Sequence, residues 1–270
     1  MIRVLTDQKK GTPLMIPCVP TILMESSSWW SELFEGMSPA SFFNFSFLPK
    51  YASFFIRGVE YTLLLSVISV ALAVIPALLL ALMRLSKNRL IHAVSGAYIA
   101  VFRSTPLLVK LFLIYYGIFG LIKLPSYTIL GFIDLARFIP GVVALSLNSA
   151  AYVAEIFRAG ILAVDIGQTE AARSLGLSSW QSMRMVVLPQ AIKNILPALA
   201  NEVITMVKES SICMTLGMME LMWGAKTVAG STYITIAPYV LVAIIYFCIN
   251  YPASKAIEAI ERRMRRGDKR

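Results

Sequence analysis

The sequence predicts an all-α integral membrane protein with about five transmembrane helices. Three observations support this. Residues of the AVILMFWYC set make up 57% of the chain and only 15% are charged, with a mean hydropathy of +0.71, well above a soluble domain. Apolar stretches long enough to cross a bilayer recur along the chain. Clusters of Lys and Arg follow alternate stretches, the pattern of an orientation signal. The chain of 270 residues has room for several spans of about 20 residues, but not for a full nucleotide-binding domain as well. Any ATPase working with it is another polypeptide.

The clearest span runs from Val59 to Met83, interrupted by Glu60 and Pro76 and closed by Arg84, Lys87 and Arg89. A second apolar region, Leu90 to Ile122, is broken at Arg103-Ser104-Thr105-Pro106. Pro106 lacks an N–H and disfavours helix at Thr105, so a kink or re-entry is expected there. Further spans are expected over Ile139–Ala163, Ile192–Met214 and Ile236–Pro252, the last followed by a basic tail at 265–270. An odd number of spans puts the two ends on opposite sides. Arg84, Lys87 and Arg89, then Arg158, Arg173 and Arg184, then Arg262, Arg263, Arg265, Arg266, Lys269 and Arg270 mark one side as cytoplasmic. The opposite loops hold only Lys123 and Arg137, then Lys226. The amino terminus is accordingly expected outside and the carboxyl terminus in the cytoplasm.

Residues 1–57 read as an amino-terminal extension and 58–264 as the membrane domain. Lys9 and Lys10 before the apolar patch Pro13–Met24 and Ser26-Ser27-Ser28 resemble a signal peptide in outline, although the patch is short and holds prolines. Trp29, Trp30, Phe42, Phe43, Phe45 and Phe47 suit an element lying at the outer interface.

The net charge of +10 would suggest nucleic acid in a soluble protein, but the basic residues flank apolar runs, which argues against that partner. Cys18, Cys213 and Cys248 form no CxxC pair, and His92 is the only histidine. Neither a disulfide framework nor a metal site is suggested. A phosphate-binding GxxxxGK[ST] and a Cys/His nucleophile pair are both absent from the sequence, so the chain is not read as an enzyme.

The longest polar insert lies between the third and fourth spans, at 167–190. Thr169 is a candidate cap for a first short helix, with Glu170 in its first turn and Gly176 able to end it in the left-handed conformation. Ser178 and Gln181 form a capping-box pattern for a second, carrying Trp180, Met183, Val186 and Val187, and Pro189 starts or kinks the next element. A small helix with an alanine face lets another protein approach closely. These features describe a docking platform without naming its partner.

The residues themselves carry a resemblance. Glu170-Ala171-Ala172, three residues, Gly176, nine residues, Val186, one residue, then Leu188-Pro189 resembles the EAA loop of ABC importer permeases. Gly58-Val59-Glu60-Tyr61-Thr62-Leu63, Phe102 to Leu108, Asn148 to Arg158, Gly167-Gln168 and Lys208-Glu209-Ser210-Ser211 look like the polar amino-acid uptake family of histidine, glutamine and arginine type. The resemblance covers about Gly58 to Met264. Ser104 stands where Gly is commoner, and Ser210 where Thr is. It implies a type I ABC importer permease fold in the inner membrane of a prokaryote, with a second permease copy or paralogue. It also implies a dimer of cytoplasmic ATPase subunits carrying ATP and Mg, an extracytoplasmic binding protein and a polar amino acid as cargo. No cofactor is expected on this chain. Glu170, Ala171, Ala172, Arg173, Gly176, Leu188 and Pro189 are then the ATPase-coupling residues.

Charges at membrane depth need a partner or a wet cavity. Glu155 and Arg158, three apart on one helical face, are expected to pair, while Lys208 needs a partner from another helix. Asn201 and Glu202 follow Pro197, where a kinked helix can open polar groups to a central path. Glu202 is the leading candidate for contact with a cationic group on the substrate, with Asn201, Thr205 and Lys208 behind it. Arg103 and Pro106, with Glu155 and Arg158, are assigned structural or gating roles. An ion-coupled secondary transporter is the rival reading; it predicts inverted repeats and paired mid-membrane carboxylates, neither visible here.

Overall fold

A computed structural model describes residues 42–122 and 124–266, the side chains of Arg265 and Arg266 excepted. By its contacts the chain divides into two units, the second beginning at Phe45. The expectations for Lys9 to Trp30, for Lys123 and for the extreme tail fall outside the described residues. The membrane bundle is the second unit.

Helix α1 spans Leu48–Leu85, begun by a proline in its first turn and continuous through Pro76. It therefore starts well before Val59, and Glu60 lies inside it rather than at its entry. One face is almost entirely small: Gly58, Thr62, Ser66, Ser69, Ala73, Ala77 and Ala81 are buried at intervals of three and four residues. The opposite face exposes Leu63, Val67, Leu72, Ile75, Leu78, Leu79 and Leu82. With lipid no less apolar than leucine, association in a membrane relies on close packing, and small residues supply it. The surface opposite is equally small, with Ser146, Ser149, Ala150, Ala151, Ala154 and Gly160 buried on α4, Leu135–Leu162. The α1–α4 contact is the most extensive in the fold.

Helix α2, Arg89–Ser104, is capped by Asn88, whose side chain accepts from the Leu90 and Ile91 amides. It ends at Thr105 in extended backbone, and α3, Leu107–Phe112, starts after Pro106 and runs on into a π-helical turn over Leu113–Ile118. The two arms meet at 108°, the break expected of the proline. A two-stranded hairpin comes next, β1 Thr128–Ile129 against β2 Ile133–Asp134, and Asp134 caps α4 through the Ala136 amide at 3.0 Å.

After the polar insert, α7 covers Leu188–Glu209 and winds tighter over Ser210–Leu216. Helix α8, Leu221–Thr232, packs against α1, and α9, Ala237–Arg266, closes the unit. The pattern of the sequence gives no sign of α8. Gly58 makes its position possible: a Cβ there would lie 2.8 Å from the Leu221 Cα. Nor does Pro252 end the last span. Helix α9 continues through it, because a proline removes one backbone bond and leaves the turns beyond it free to stay helical. The continuation is held by Glu258, which pairs with Lys255 at 2.9 Å and Arg262 at 3.6 Å.

Among the described residues three helices are long and apolar enough to cross a membrane, α1, α4 and α9, or four if the bent α2–α3 pair is one span. Helix α7 does not qualify by composition because it carries Lys193, Asn194, Asn201, Glu202, Lys208 and Glu209. Its 22 residues reach about 33 Å, and it packs on α1, α4 and α9. It is the polar member of the bundle. Phe45 and Phe47 pack against the bundle rather than standing free of it. Phe47 is buried, its ring 6.0 Å from Phe55 and 6.2 Å from Phe45, in an apolar cluster with Leu221, Ala225 and Val242.

Candidate functional site

The polar insert folds as one short helix and the leading end of a long one. Helix α5 spans Ile166–Ser174 and is capped by Asp165, which accepts from the Gly167 amide at 2.7 Å. Thr169 is not the cap. The helix reaches further back because nothing between Ile166 and Gln168 stops it, and Asp caps as well as Thr. Glu170 consequently sits past the first turn. Gly176 has φ +87, with the Leu177 amide donating to the Ala172 carbonyl at 3.2 Å and the Gly176 amide to that of Arg173 at 3.0 Å. These are the paired bonds of a Schellman terminus. Arg173 reinforces it by donating to the Leu177 carbonyl at 2.8 Å.

Both halves of the Ser178–Gln181 capping box are present. Helix α6, Ser179–Ser182, passes through a π-helical turn at Met183–Val187 directly into α7. Leu188 and Pro189 thus mark a join inside a continuous rod rather than a break. Gln190 donates to Gln168 at 3.3 Å and to the Val186 carbonyl at 3.1 Å, tying α5 to the rod. Ala172 is the buried residue of α5, while Glu170, Ala171 and Arg173 face outward. Around them Ile166, Leu175, Trp180 and Met185 stand exposed, Leu175 at 85%. Exposed apolar side chains beside charged ones are the composition that protein-binding surfaces carry.

Above this platform, Glu155 on α4 receives Arg158 at 2.8 Å, and the Arg84 Nε at the end of α1 lies 4.0 Å away. The pairing expected of Glu155 and Arg158 is formed, and Arg84 joins it. His92 holds Arg84 in turn, one ring nitrogen 2.7 Å from its guanidinium and the other 2.9 Å from its carbonyl. The Arg103 guanidinium rests over the Tyr152 ring at 5.5 Å. Of these groups Glu155, Arg103 and Tyr152 line a cavity of about 540 Å³ that runs along α4 and α7 past Lys193 and Pro197 to Glu202.

Glu202 is half-buried and accepts from the Ser149 hydroxyl at 2.8 Å. Asn201 and Thr205 are on the neighbouring face of α7, in line with Lys208 at helical spacing. Lys208 forms no ion pair among the described residues and lines a separate cavity of about 610 Å³ with Ser211, Tyr239, Asn250 and Ser254. Glu202 and Lys208 are therefore not brought together within one chain.

Two buried polar groups escaped sequence reasoning. Lys110 on α3 is 7% exposed and donates to the Phe102 carbonyl and to Asn148, whose amide nitrogen is 3.3 Å from Glu209. This chain of bonds clamps the bent α2–α3 pair to α4 and α7. The one trace of it in the sequence is a lone lysine inside an apolar run. Glu220, fully buried, caps α8 by accepting from the Met222 and Trp223 amides at 2.8 and 2.6 Å and from the Tyr246 hydroxyl at 3.3 Å. Among the described residues no cluster of His, Cys, Asp and Glu is placed to hold a metal ion.

The model of the binding-protein-dependent transport system inner membrane component family matches residues 69–266. The chain belongs to that family. A chain from the crystal structure of an amino acid ABC transporter with histidines is 45% identical with a TM-score of 0.74, the match covering 82% of this chain and 98% of that one. The arginine transport system permease protein ArtQ of Bacillus subtilis is 39% identical over 215 residues, 80% of this chain and 94% of its own. The nopaline transport system permease protein NocM of Agrobacterium fabrum is 37% identical over 206 residues, 76% and 86% respectively. This permease has the type I ABC importer fold. It is an inner-membrane transport subunit and not an enzyme; ATP hydrolysis belongs to a separate subunit.

Proposed function

We propose that this permease carries a polar amino acid inward. A cytoplasmic ATPase dimer holding ATP and Mg drives it through the 167–190 loop, and an extracytoplasmic binding protein delivers the cargo to its far side. The observation that carries this reading is the half-buried Glu202 carboxylate, held by Ser149 in a cavity that leads towards the loop end of the bundle. A carboxylate in a low-dielectric cavity suits an ammonium or guanidinium group. The arginine and nopaline permeases resembling this chain are named for solutes that carry such groups. The basic residues at the loop end, Arg84, Arg158, Arg173 and Arg184, put that end in the cytoplasm by the positive-inside rule, with the carboxyl terminus on the same side.

In this mechanism ATP binding closes the ATPase pair. The motion enters through Glu170, Ala171, Arg173 and the Gly176 turn, and passes along the continuous α6–α7 rod on which Leu188, Pro189, Glu202 and Lys208 all sit. Glu155, Arg158 and Arg103 brace the loop end of α4 against α1 and α2. A second permease copy or paralogue completes the path. Helix α9 has only 6% of its apolar window buried within this chain, leaving a face available for lipid or that partner.

The test is uptake by the reconstituted complex. Glu202→Gln retains an oxygen to accept from Ser149, so folding is preserved while the charge is lost. Affinity for a basic amino acid is expected to fall about tenfold or more. Unchanged affinity and substrate range in this variant would remove Glu202 from the path.

A further inference from the structure

The loop end of the bundle carries a titratable side chain that the transport mechanism leaves idle. His92, the only histidine of the chain, stands exposed near the start of α2. Its Nδ1 lies 2.9 Å from the Arg84 carbonyl, and its Nε2 lies 2.7 Å from an Arg84 guanidinium nitrogen. A carbonyl only accepts and a guanidinium only donates. Nδ1 therefore carries the proton and Nε2 a bare lone pair. Only the neutral ring, in that one tautomer, makes both contacts at once.

Each contact serves the fold. Arg84 is the next-to-last residue of α1, so its carbonyl belongs to the final turn, whose carbonyls have no partner inside the helix. The Nδ1 proton supplies one. The bond to Nε2 holds the guanidinium across α2 against Gly96, where an added Cβ would lie 3.0 Å from Nη1. From there the buried Nε comes within 4.0 Å of Glu155 on α4. Arg84 thus ties the end of α1 to both α2 and α4, and His92 aims it.

Protonation of the ring spares one contact and breaks the other. Nδ1 still donates to the carbonyl, but Nε2 then turns an N–H towards a guanidinium N–H, and two like charges meet at hydrogen-bond distance. No neighbouring group rewards the new charge. Helix α2 packs on α1 and α4. At this end α1 brings Arg84, with Lys87 in the turn after it, α4 brings Tyr152, Glu155 and Arg158, and α2 itself adds Arg89 and Arg103. Glu155 is the carboxylate among them, and it already receives Arg158 at 2.8 Å. The displaced guanidinium has room to move, because a cavity of about 480 Å³ beside it is lined by Gly96, Arg103, Tyr152 and Glu155. There it competes with Arg158 for Glu155 and undoes the brace on α4.

We propose that His92 is a pH latch at the cytoplasmic end of the permease: neutral, it positions Arg84 between α1, α2 and α4 and permits transport, and protonated, it releases Arg84 and slows transport. The latch rests on the reading of the chain as an importer. Histidine is the side chain that ordinarily changes charge between about pH 5 and 8. The latch needs the neutral form, so it is set at the upper end of that window and lost as the pH falls.

The test is uptake by the reconstituted permease–ATPase complex in vesicles that hold ATP. The internal pH is lowered from about 7.5 to about 5.5 with the external pH fixed, and the unchanged protein is expected to lose uptake about fivefold. His92→Gln, whose amide oxygen accepts from Arg84 and whose nitrogen donates to the carbonyl, should match it at the upper pH and escape that loss. His92→Lys, a cation throughout this window, should be slow at both ends. A His92→Gln profile that superimposes on that of the unchanged protein overturns the proposal, and so does full uptake by His92→Lys at the upper pH. Nitrogen NMR of permease labelled at histidine gives a readout independent of cargo. The Nδ1–H tautomer is expected at the upper pH, and the Nε2–H tautomer there would overturn the latch even with normal uptake. The expected tautomer in complexes that take up no amino acid at all would uphold the latch geometry and count against the importer reading instead.

Discussion

Gly58→Ala tests the approach of the α8 backbone to α1. The added methyl would lie 2.8 Å from the Leu221 Cα and 3.1 Å from its nitrogen, both backbone atoms that no rotamer change can move aside. Helix α8 must shift, which costs about 1–3 kcal/mol as overpacking. The shift also strains the Leu221 amide bond to the Thr62 hydroxyl, now 3.1 Å, worth about 1 kcal/mol. The total of about 2–4 kcal/mol corresponds to a drop of order 5–10 °C in melting temperature. The assay is thermal unfolding of the purified complex, with Gly230→Ala as its control. Gly230 lies in α8, where an added Cβ would meet nothing within 4 Å, so alanine there is expected to be neutral or to stabilise by up to about 1 kcal/mol. If Gly58→Ala melts with the unchanged protein, α8 does not sit where the structure puts it.

Two other substitutions probe the buried polar groups. Lys110→Met leaves the Phe102 carbonyl and the Asn148 oxygen without their donor, a loss of about 1–3 kcal/mol for each orphaned group. Combining it with Glu209→Gln should cost less than the sum of the two single changes, and strict additivity in melting would show that the three side chains do not act as one network. Glu220→Ala removes the α8 cap and should destabilise by about 0.5–2 kcal/mol, whereas Glu220→Gln keeps one of the two oxygens, enough for the Met222 or the Trp223 amide but not both, and should recover only part of that. An equal effect of both, measured by thermal unfolding, would argue against a capping role.

What was legible in the sequence divides by range. The Ser178–Gln181 box, the left-handed Gly176 and the break at Pro106 depend on atoms within a few residues, and each is formed where the residues imply it. Asp165 is passed over for Thr169 because the two cap with similar strength, and the choice turns on how far α5 can extend backwards, which the neighbouring residues leave open. Pro252 misleads in the same way: a proline signals a missing bond, and only the helix beyond it shows whether the rod continues. The Lys110–Asn148–Glu209 chain joins residues on three helices, and periodicity along one segment carries no trace of such pairing. Helix α8 was hidden because Gly58 and Leu221, which fit together in space, are far apart in sequence. The site divides likewise. The fold of the 167–190 loop is local and was readable from its own residues apart from its first cap, while the placement of Glu202 beside Ser149, apart from Lys208, required the packed bundle.

On the mechanism proposed above, the 167–190 loop transmits ATP hydrolysis to the path. Its most direct measurement is amino-acid uptake and ligand-stimulated ATPase activity, side by side in vesicles, for the reconstituted complex carrying Gly176→Asp or Glu170→Lys. Aspartate at φ +87 strains the Schellman turn, and lysine reverses the charge on the exposed face of α5. Each variant is expected to fold and to lose uptake, while the ATPase no longer responds to ligand. Full uptake and normal ATPase association in both variants would contradict the claim.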